Sequence, residues 1–417
     1  MAGYKSKSVC VSDNGLFSEL ARTLSRSFGQ VWYTSPWVSA FPLSEHLEVA
    51  EGMVEIDRID DIHEIINDCD LFVFPDIYQA PIQIYLASIG KRVWGAREGD
   101  ELEIYRKDSR AHCHELGIPL PEYEVIKGMN AVRKYIKNHD GEKLWVKGNK
   151  PRGDFETFCV EGYDLGKNQL DDIETRLGPK ADQMTYIVEQ NLKASIDLAI
   201  DTHCIDGQYP DTTVLGTEEK GECYVGEVAP WAAMPNALRE IYSKLSRTLK
   251  QYEYRNFLSL ESRAFAKRIY LGDPCCRAGS PPLELQLNWI TNLADILWEG
   301  AEGHMVNPVY DGRFGVELIV HSDWANKHPL LVEFPEKYRD KIKFRYNSEF
   351  EGNTWIMPQG VGPRIAAIVS HGNSIDACIE ECKEISSQLK GTLVESFTRS
   401  FPIVMEKIET LKTWGHW

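Results

Sequence analysis

A lysine that ends an apolar strand and opens into a glycine-bearing polar loop is the first point in this sequence where chemistry suggests itself. Leu144-Trp145-Val146-Lys147-Gly148 runs directly into Asn149-Lys150-Pro151-Arg152-Gly153-Asp154. The Lys147 ammonium is a point charge suited to a phosphate. The loop's backbone N–H groups, with Arg152 among them, are suited to closing over a triphosphate. A solvated lysine on a surface hairpin would read the same way. Upstream, Tyr105-Arg106-Lys107-Asp108 leads a helix that stops at Gly117-Ile118-Pro119. A cation at a helix start opposes the helix dipole, which suits Lys107 to a ligand, with an ordinary solvated lysine as the plain alternative.

The strongest constellation lies further on. Phe257-Leu258-Ser259-Leu260-Glu261-Ser262-Arg263 and Lys267-Arg268-Ile269-Tyr270-Leu271-Gly272-Asp273 read as two paired strands, each presenting one carboxylate. Glu261 and Asp273 stand twelve residues apart, a spacing that places both on one face of a hairpin. Two close carboxylates repel unless a cation joins them, and oxygen-rich ligands suit Mg²⁺ held together with substrate phosphates. Arg277, four residues beyond the acid, is placed to neutralise a transferring phosphoryl group. A hairpin with a surface salt bridge is the plain alternative.

Positioning these residues requires several units. The first hundred residues alternate strand and helix signals: Val9–Ser12, a helix over Leu16–Phe28, then Val31–Thr34, Asp70–Pro75 and Arg92–Gly95. That alternation predicts a parallel, helix-covered sheet over 1–100. A small α+β lobe follows over 101–185, then a strand-rich larger lobe over 186–304, with helices at Pro235–Gln251 and Leu283–Trp298. A C-terminal α/β unit over 305–417 contains a helix at Ser374–Leu389 with Asp376, Glu380 and Glu384 on its polar side. The fold class read from this pattern is a multidomain mixture of α/β and α+β. A length of 417 residues suits two to four packed units.

The net charge of −17 repels nucleic-acid phosphates and anionic membrane, so small-molecule substrates are the expected partners. The sequence carries no signal for oligomeric state. No 18-residue apolar run and no signal-peptide pattern occurs, which implies a soluble, cytoplasmic protein. The ten cysteines form no C-x-x-C pair and read as buried free thiols, and the eleven histidines show no zinc spacing.

Taken in order, these segments resemble the ATP-grasp superfamily, most closely its phosphoribosylamine–glycine ligase branch. The resemblance spans nearly the whole chain: the N-terminal α/β unit, the helix into Gly117-Ile118-Pro119, Val146-Lys147-Gly148, and Ile187-Val188-Glu189-Gln190-Asn191-Leu192, which looks like the family's V-E-E-F-L adenine linker. Asp273 and Arg277 fall where the family writes E-F-N-x-R-x-G-D-P-E, and Ser370-His371-Gly372-Asn373-Ser374 looks like its closing strand–G-D-S–helix. The resemblance implies ATP and Mg²⁺, with Mn²⁺ as the alternative ion. Lys107, Lys147 and the 148–154 loop would take the phosphates, and Val188, Glu189, Gln190, Asn191 and Leu192 would meet adenine. Asp197 would serve ribose or metal, Glu261 and Asp273 would hold the metal, and Arg277 would stabilise an acyl phosphate. Cys275 stands where the family has a metal-binding asparagine and is by that position the third metal candidate, although a neutral thiol is a poor Mg²⁺ ligand. The ending is Gly279-Ser280-Pro281-Pro282, with Glu284 in place of the lost acid, and the N-terminal G-G-R-E-H that serves phosphoribosylamine is absent. The implied activity is an ATP-dependent carboxylate–amine ligase with an acceptor other than phosphoribosylamine. A non-catalytic nucleotide-binding module and an ATP-grasp phosphotransferase are the alternatives.

Overall fold

The computed structural model describes residues 3–35, 48–150, 157–358 and 362–417. At the N-terminus, β1 (Ser8–Ser12), β2 (Gln30–Thr34), β3 (Asp57–Arg58), β4 (Leu71–Val73) and β5 (Arg92–Trp94) form a parallel sheet in the order β3-β2-β1-β4-β5. Its short apolar runs follow from having both faces covered. Val9, Val11, Leu71 and Val73 join one core, shared with α1 (Ser18–Ser25), while Cys10 and Phe72 turn to another that includes Leu86 of α2 (Ala80–Ser88).

Helices α3 (Glu101–Ile104) and α4 (Arg106–Glu115) lead into the small lobe. There β6 (Tyr123–Lys127), β7 (Lys143–Gly148), β8 (Thr157–Glu161) and β9 (Thr185–Gln190) make an antiparallel sheet ordered β6-β9-β7-β8. Alternation decides the faces. Leu144, Val146, Tyr186 and Val188 pack with α5 (Met129–Asn138) and α6 (Tyr163–Leu177), and Trp145, Lys147 and Glu189 take the opposite face.

The larger sheet begins with β10 (Ile196–Ile205), β11 (Thr212–Glu219), β12 (Cys223–Pro230), β13 (Arg255–Phe265) and β14 (Arg268–Cys275). It continues through β15 (Phe314–Ser322), β17 (Ile342–Phe344), β20 (Arg364–Gly372) and β21 (Val394–Ser396), while β16 (Leu330–Val332), β18 (Asn347–Phe350) and β19 (Asn353–Ile356) form a separate three-stranded sheet. Because β12 pairs with β15, one sheet runs through the region on both sides of residue 304. One face of β10 and β13 buries Leu198, Ile200, Leu258 and Leu260 against α7 (Asn236–Gln251). Helices α10 (Ile375–Ser386) and α11 (Ser400–Trp414) pack on the C-terminal strands. No helix among the described residues is long and apolar enough to cross a membrane. All ten cysteines are free, and nine are buried.

The single helix read over Leu283–Trp298 is instead two, α8 (Leu283–Trp289) and α9 (Leu293–Ala301). Ile290 takes an extended conformation and bridges Tyr310, and Thr291 N–H donates to the Val309 carbonyl at 2.8 Å. A tertiary pairing therefore breaks a run whose apolar periodicity continues. Helix α9 reaches the N-terminal sheet through Gly300, where an added Cβ would lie 2.5 Å from the Trp94 ring and 2.9 Å from Ile205 Cδ1. Trp94 is fully buried and Ile205 belongs to a strand, so neither can yield freely. Gly300→Ala is expected to destabilise the protein by about 1–3 kcal/mol through overpacking, seen as a lower urea midpoint.

Candidate active site

Three cations and two carboxylates converge where α4, the small lobe and the β13–β14 hairpin meet. Lys147 Nζ lies 2.7 Å from Asp273 Oδ2 and 2.8 Å from Glu189 Oε2. Arg110 donates through Nε to Glu189 Oε1 at 2.7 Å, contacts Asp273 Oδ1 at 3.1 Å and donates to the Gly272 carbonyl. Arg106 Nε stands 3.8 Å from Asp273 Oδ1, and its Nη1 donates to the Gly148 carbonyl at 3.2 Å. Burial alone would raise the Asp273 carboxyl, but Lys147, Arg110 and Arg106 together outweigh burial and hold it well below the usual range. The Glu189 and Asp273 charges more than offset the desolvation of Arg110, so its guanidinium is held more firmly charged than usual.

The local sequence explains each placement. Lys147 and Glu189 share the face of the small-lobe sheet that alternation turns away from its core. Arg106 and Arg110 are one helical turn apart on the buried side of α4. Asn149 fixes the start of that helix, its carbonyl accepting from Arg106 N–H at 3.0 Å and its side chain from Lys107 N–H at 2.7 Å. Lys107 itself faces solvent, its ammonium 3.8 Å from Asp108. The inward cations of this helix are thus Arg106 and Arg110, and the signal that would have found them is their i, i+4 spacing. Arg152 lies outside the described residues.

A second cluster lies on the face of the large sheet opposite α7. Asp273 and Glu261 are direct cross-strand partners, as the hairpin reading requires, beside a bulge at Glu261/Ser262. They lean towards different cations. Lys220, from the turn between β11 and β12, grips both Glu261 oxygens at 3.0 Å and Glu218 at 3.1 Å. Arg263 holds Asp197 at 2.7 Å. Burial would raise the Glu261 carboxyl, and Lys220 reverses this so that it is lowered. Burial prevails at Asp197 and Glu218, which are raised.

Glu261 and Asp273 are therefore partly exposed, ionised and on one face, a donor pair that fits a hard cation shared with phosphate oxygens. Cys275 does not fit. It is buried opposite Ser259, and burial pushes its thiol far above the ordinary value, so it stays protonated. Among the described residues no group of three or more His, Cys, Asp or Glu side chains is arranged to hold a metal. The expected trio is thus brought together only as a pair.

Arg277 serves as a tie. Its Nε donates to Glu103 Oε1 at 2.9 Å, Glu103 Oε2 accepts from Cys276 N–H at 2.8 Å, and Asp76 of the N-terminal unit stands 3.7 Å away. The Glu103 charge drives the guanidinium well above its usual range. In the linker, the Val188 side chain points into the small-lobe core and its backbone lies between two strands, so it has no face towards a ligand. Gln190 is exposed, Asn191 accepts from Trp145 Nε1 at 3.0 Å, and Leu192 is half-buried between the two lobes.

The backbone follows that of a phosphoribosylamine–glycine ligase from Thermotoga maritima, with a TM-score of 0.69 at 14% identity over 93% of this chain and 98% of that one. The fold is that of the ATP-grasp enzymes. Similar agreement is found with a biotin carboxylase–β,γ-ATP complex from Campylobacter jejuni (TM-score 0.66, 12% identity, 98% and 96% coverage). An N5-carboxyaminoimidazole synthetase from Staphylococcus aureus, complexed with ADP, gives a TM-score of 0.62 at 11% identity with 91% and 96% coverage. No family model matches the chain. No curated protein matches it by sequence.

Within the large sheet, Asp201 lies buried on the acidic face. Burial raises its carboxyl to about 6, against the opposing hydrogen bonds from Tyr224 Oη, at 2.5 Å, and Ser259. An acid raised in the folded state contributes stability that is present below its unfolded value near 4 and is lost as pH rises through 6. Asp201→Asn does not titrate. Its stability relative to wild type should therefore rise by on the order of 3 kcal/mol between pH 4 and 6.5, measured by urea unfolding.

Proposed function

We propose that this protein is an ATP-dependent carboxylate–amine ligase that forms an acyl phosphate and releases ADP and phosphate. The observation that carries this reading is the convergence of Arg106, Arg110 and Lys147 on Asp273 between two lobes of an ATP-grasp fold. Those three cations would bind the ATP phosphates, and the sequence of the 148–154 loop, Arg152 included, is suited to share that task. Glu189 through Leu192 would border adenine, Val188 contributing only through the strand it belongs to. Glu261 and Asp273 would hold Mg²⁺, which would supply charge neutralisation to the phosphoryl group in flight. For that, Lys220 must release Glu261, and it is the more exposed partner of the pair.

Arg277, anchored by Glu103 and Asp76, would stabilise the acyl phosphate from the N-terminal side, and Asp197 would serve ribose or metal. The relatives in fold are named for glycine, ATP and ADP. An amino acid is accordingly the proposed carboxyl donor, and a nucleotide- or nucleobase-linked amine the proposed acceptor. The protonated Cys275 favours one other reading, a nucleotide-binding module without turnover.

Incubation with Mg²⁺-ATP, a panel of carboxylic acids and hydroxylamine separates the two. The ligase yields hydroxamate and ADP. Lys147→Ala and Asp273→Ala are expected to lower that rate at least ~100-fold, the scale of losing one preorganised charge at a phosphoryl-transfer site. Hydroxamate formation undiminished in both variants sinks the proposed site. ATP binding without turnover on any acid supports the module.

A further inference from the structure

Helix α11 joins two cores of the large sheet. Phe401, Val404 and Ile408 belong to the core that holds Cys223, Val225 and Leu318, and Leu411 belongs to the one that holds Leu198 and Leu260 beside α7. These four side chains recur every three or four residues and form one apolar seam. Lys407 stands next to that seam and reaches the end of β11. Its Nζ donates to the Glu218 carbonyl at 2.7 Å and lies 2.7 Å from Glu219 Oε2.

Successive residues of a strand point to opposite faces. Glu219 therefore presents its carboxylate to Lys407 on the α11 side, while Glu218 presents its own to Lys220 on the acidic face at 3.1 Å. The turn after Glu219 is tied on its far side as well, where the Glu222 carbonyl accepts from Ile319 N–H of β15 at 2.9 Å. Lys220 is thus mounted on a strand end gripped from below, and its ammonium reaches both Glu261 oxygens at 3.0 Å. A hard cation approaching Glu261 meets a positive charge already in place. An ammonium held by its neighbours re-forms its contact with little loss of entropy, so it competes more strongly than a free one would.

We propose that Lys407 is a positioning residue for the metal site: by holding the end of β11 it keeps Lys220 on Glu261, as a tethered cation that a divalent ion must displace. That Glu261 belongs to a metal site rests on the reading proposed above. The brace from Lys407 to Lys220 rests only on the contacts described.

Trace acetylation of the full chain with acetic anhydride, followed by peptide mapping, tests the brace without any metal. Lys220 should label at least ~threefold faster in Lys407→Met, because an ammonium released from carboxylates is more often a free amine. Lys412→Met, which removes an exposed pair with Glu409 on the same helix, should leave that rate unchanged, and Lys407→Arg should restore it. Mn²⁺ titration in the presence of the β,γ-imido analogue of ATP tests the consequence. Lys220→Met should tighten Mn²⁺ at least ~threefold, the scale of one partly exposed ion pair. Lys407→Met should tighten it by a smaller factor. The double variant should bind no tighter than Lys220→Met alone, as two residues acting through one contact do.

Unchanged labelling of Lys220 in Lys407→Met overturns the brace, and unchanged Mn²⁺ affinity in Lys220→Met overturns the competition. Mn²⁺ affinity that responds to both lysines in a protein that forms no hydroxamate upholds the proposal and removes the ligase reading. Faster labelling in a protein that binds no Mn²⁺ with the analogue upholds the brace and removes the metal site.

Discussion

The contact between Lys147 and Asp273 is the interaction on which the arrangement of the site depends. It joins a strand of the small lobe to a hairpin of the large one, and Arg110 and Glu189 close the same charges into a ring. A lysine so deeply buried is tolerable only because two carboxylates meet it, and each carboxylate is tolerable only because an arginine shares it. Lys147 and Glu189 pair within the small lobe, and Asp273 adds the contact from the large one. The charge pattern thus specifies how the lobes face each other as well as what they could bind.

Strand alternation supplies the other half of the design. On β10 and β13 every second residue is committed to the core with α7, so the remaining positions, among them Asp197, Asp201, Glu261 and Arg263, are forced onto the opposite face. Acids gathered there would repel one another. Lys220 and Arg263 hold that repulsion in check, while deeper in the sheet burial keeps Asp201 and Glu218 closer to their neutral forms. Gly216 makes room for the Tyr224–Asp201 hydrogen bond, since a Cβ there would lie 2.1 Å from the Tyr224 hydroxyl.

Much of this was legible in the amino-acid order. The apolar runs at β1 and β4 follow from a sheet covered on both faces, and the lysine at the end of β7 and the facing acids of β13 and β14 from period-two patterns, all of them local. What escaped depends on partners distant in sequence. The adjacency of Arg106 and Lys107 hid which one turns inward, because that is set by Asn149 some forty residues away. The cations that compensate Glu261 and Asp197 come from a turn and from a neighbouring strand position, with no spacing to announce them. The break between α8 and α9 is imposed by Tyr310, and strands of three or four residues such as β16 and β19 are too short to show a period.

The continuity of the large sheet has a mechanical consequence. From β14 to β17 the ladder is uninterrupted, so that part of the molecule bends only by breaking rows of backbone hydrogen bonds. Among the described residues the small lobe shares no ladder with it, and it is joined to it through two connectors, the 116–122 segment, pinned where Leu271 N–H donates to the Pro119 carbonyl at 2.9 Å, and residues 191–195. The compliance of the protein is concentrated in those two straps. Of the ionic contacts of Lys147, the one to Asp273 crosses from the small lobe to the large one, so the gap between the lobes and the charge state of their seam are tied through one contact.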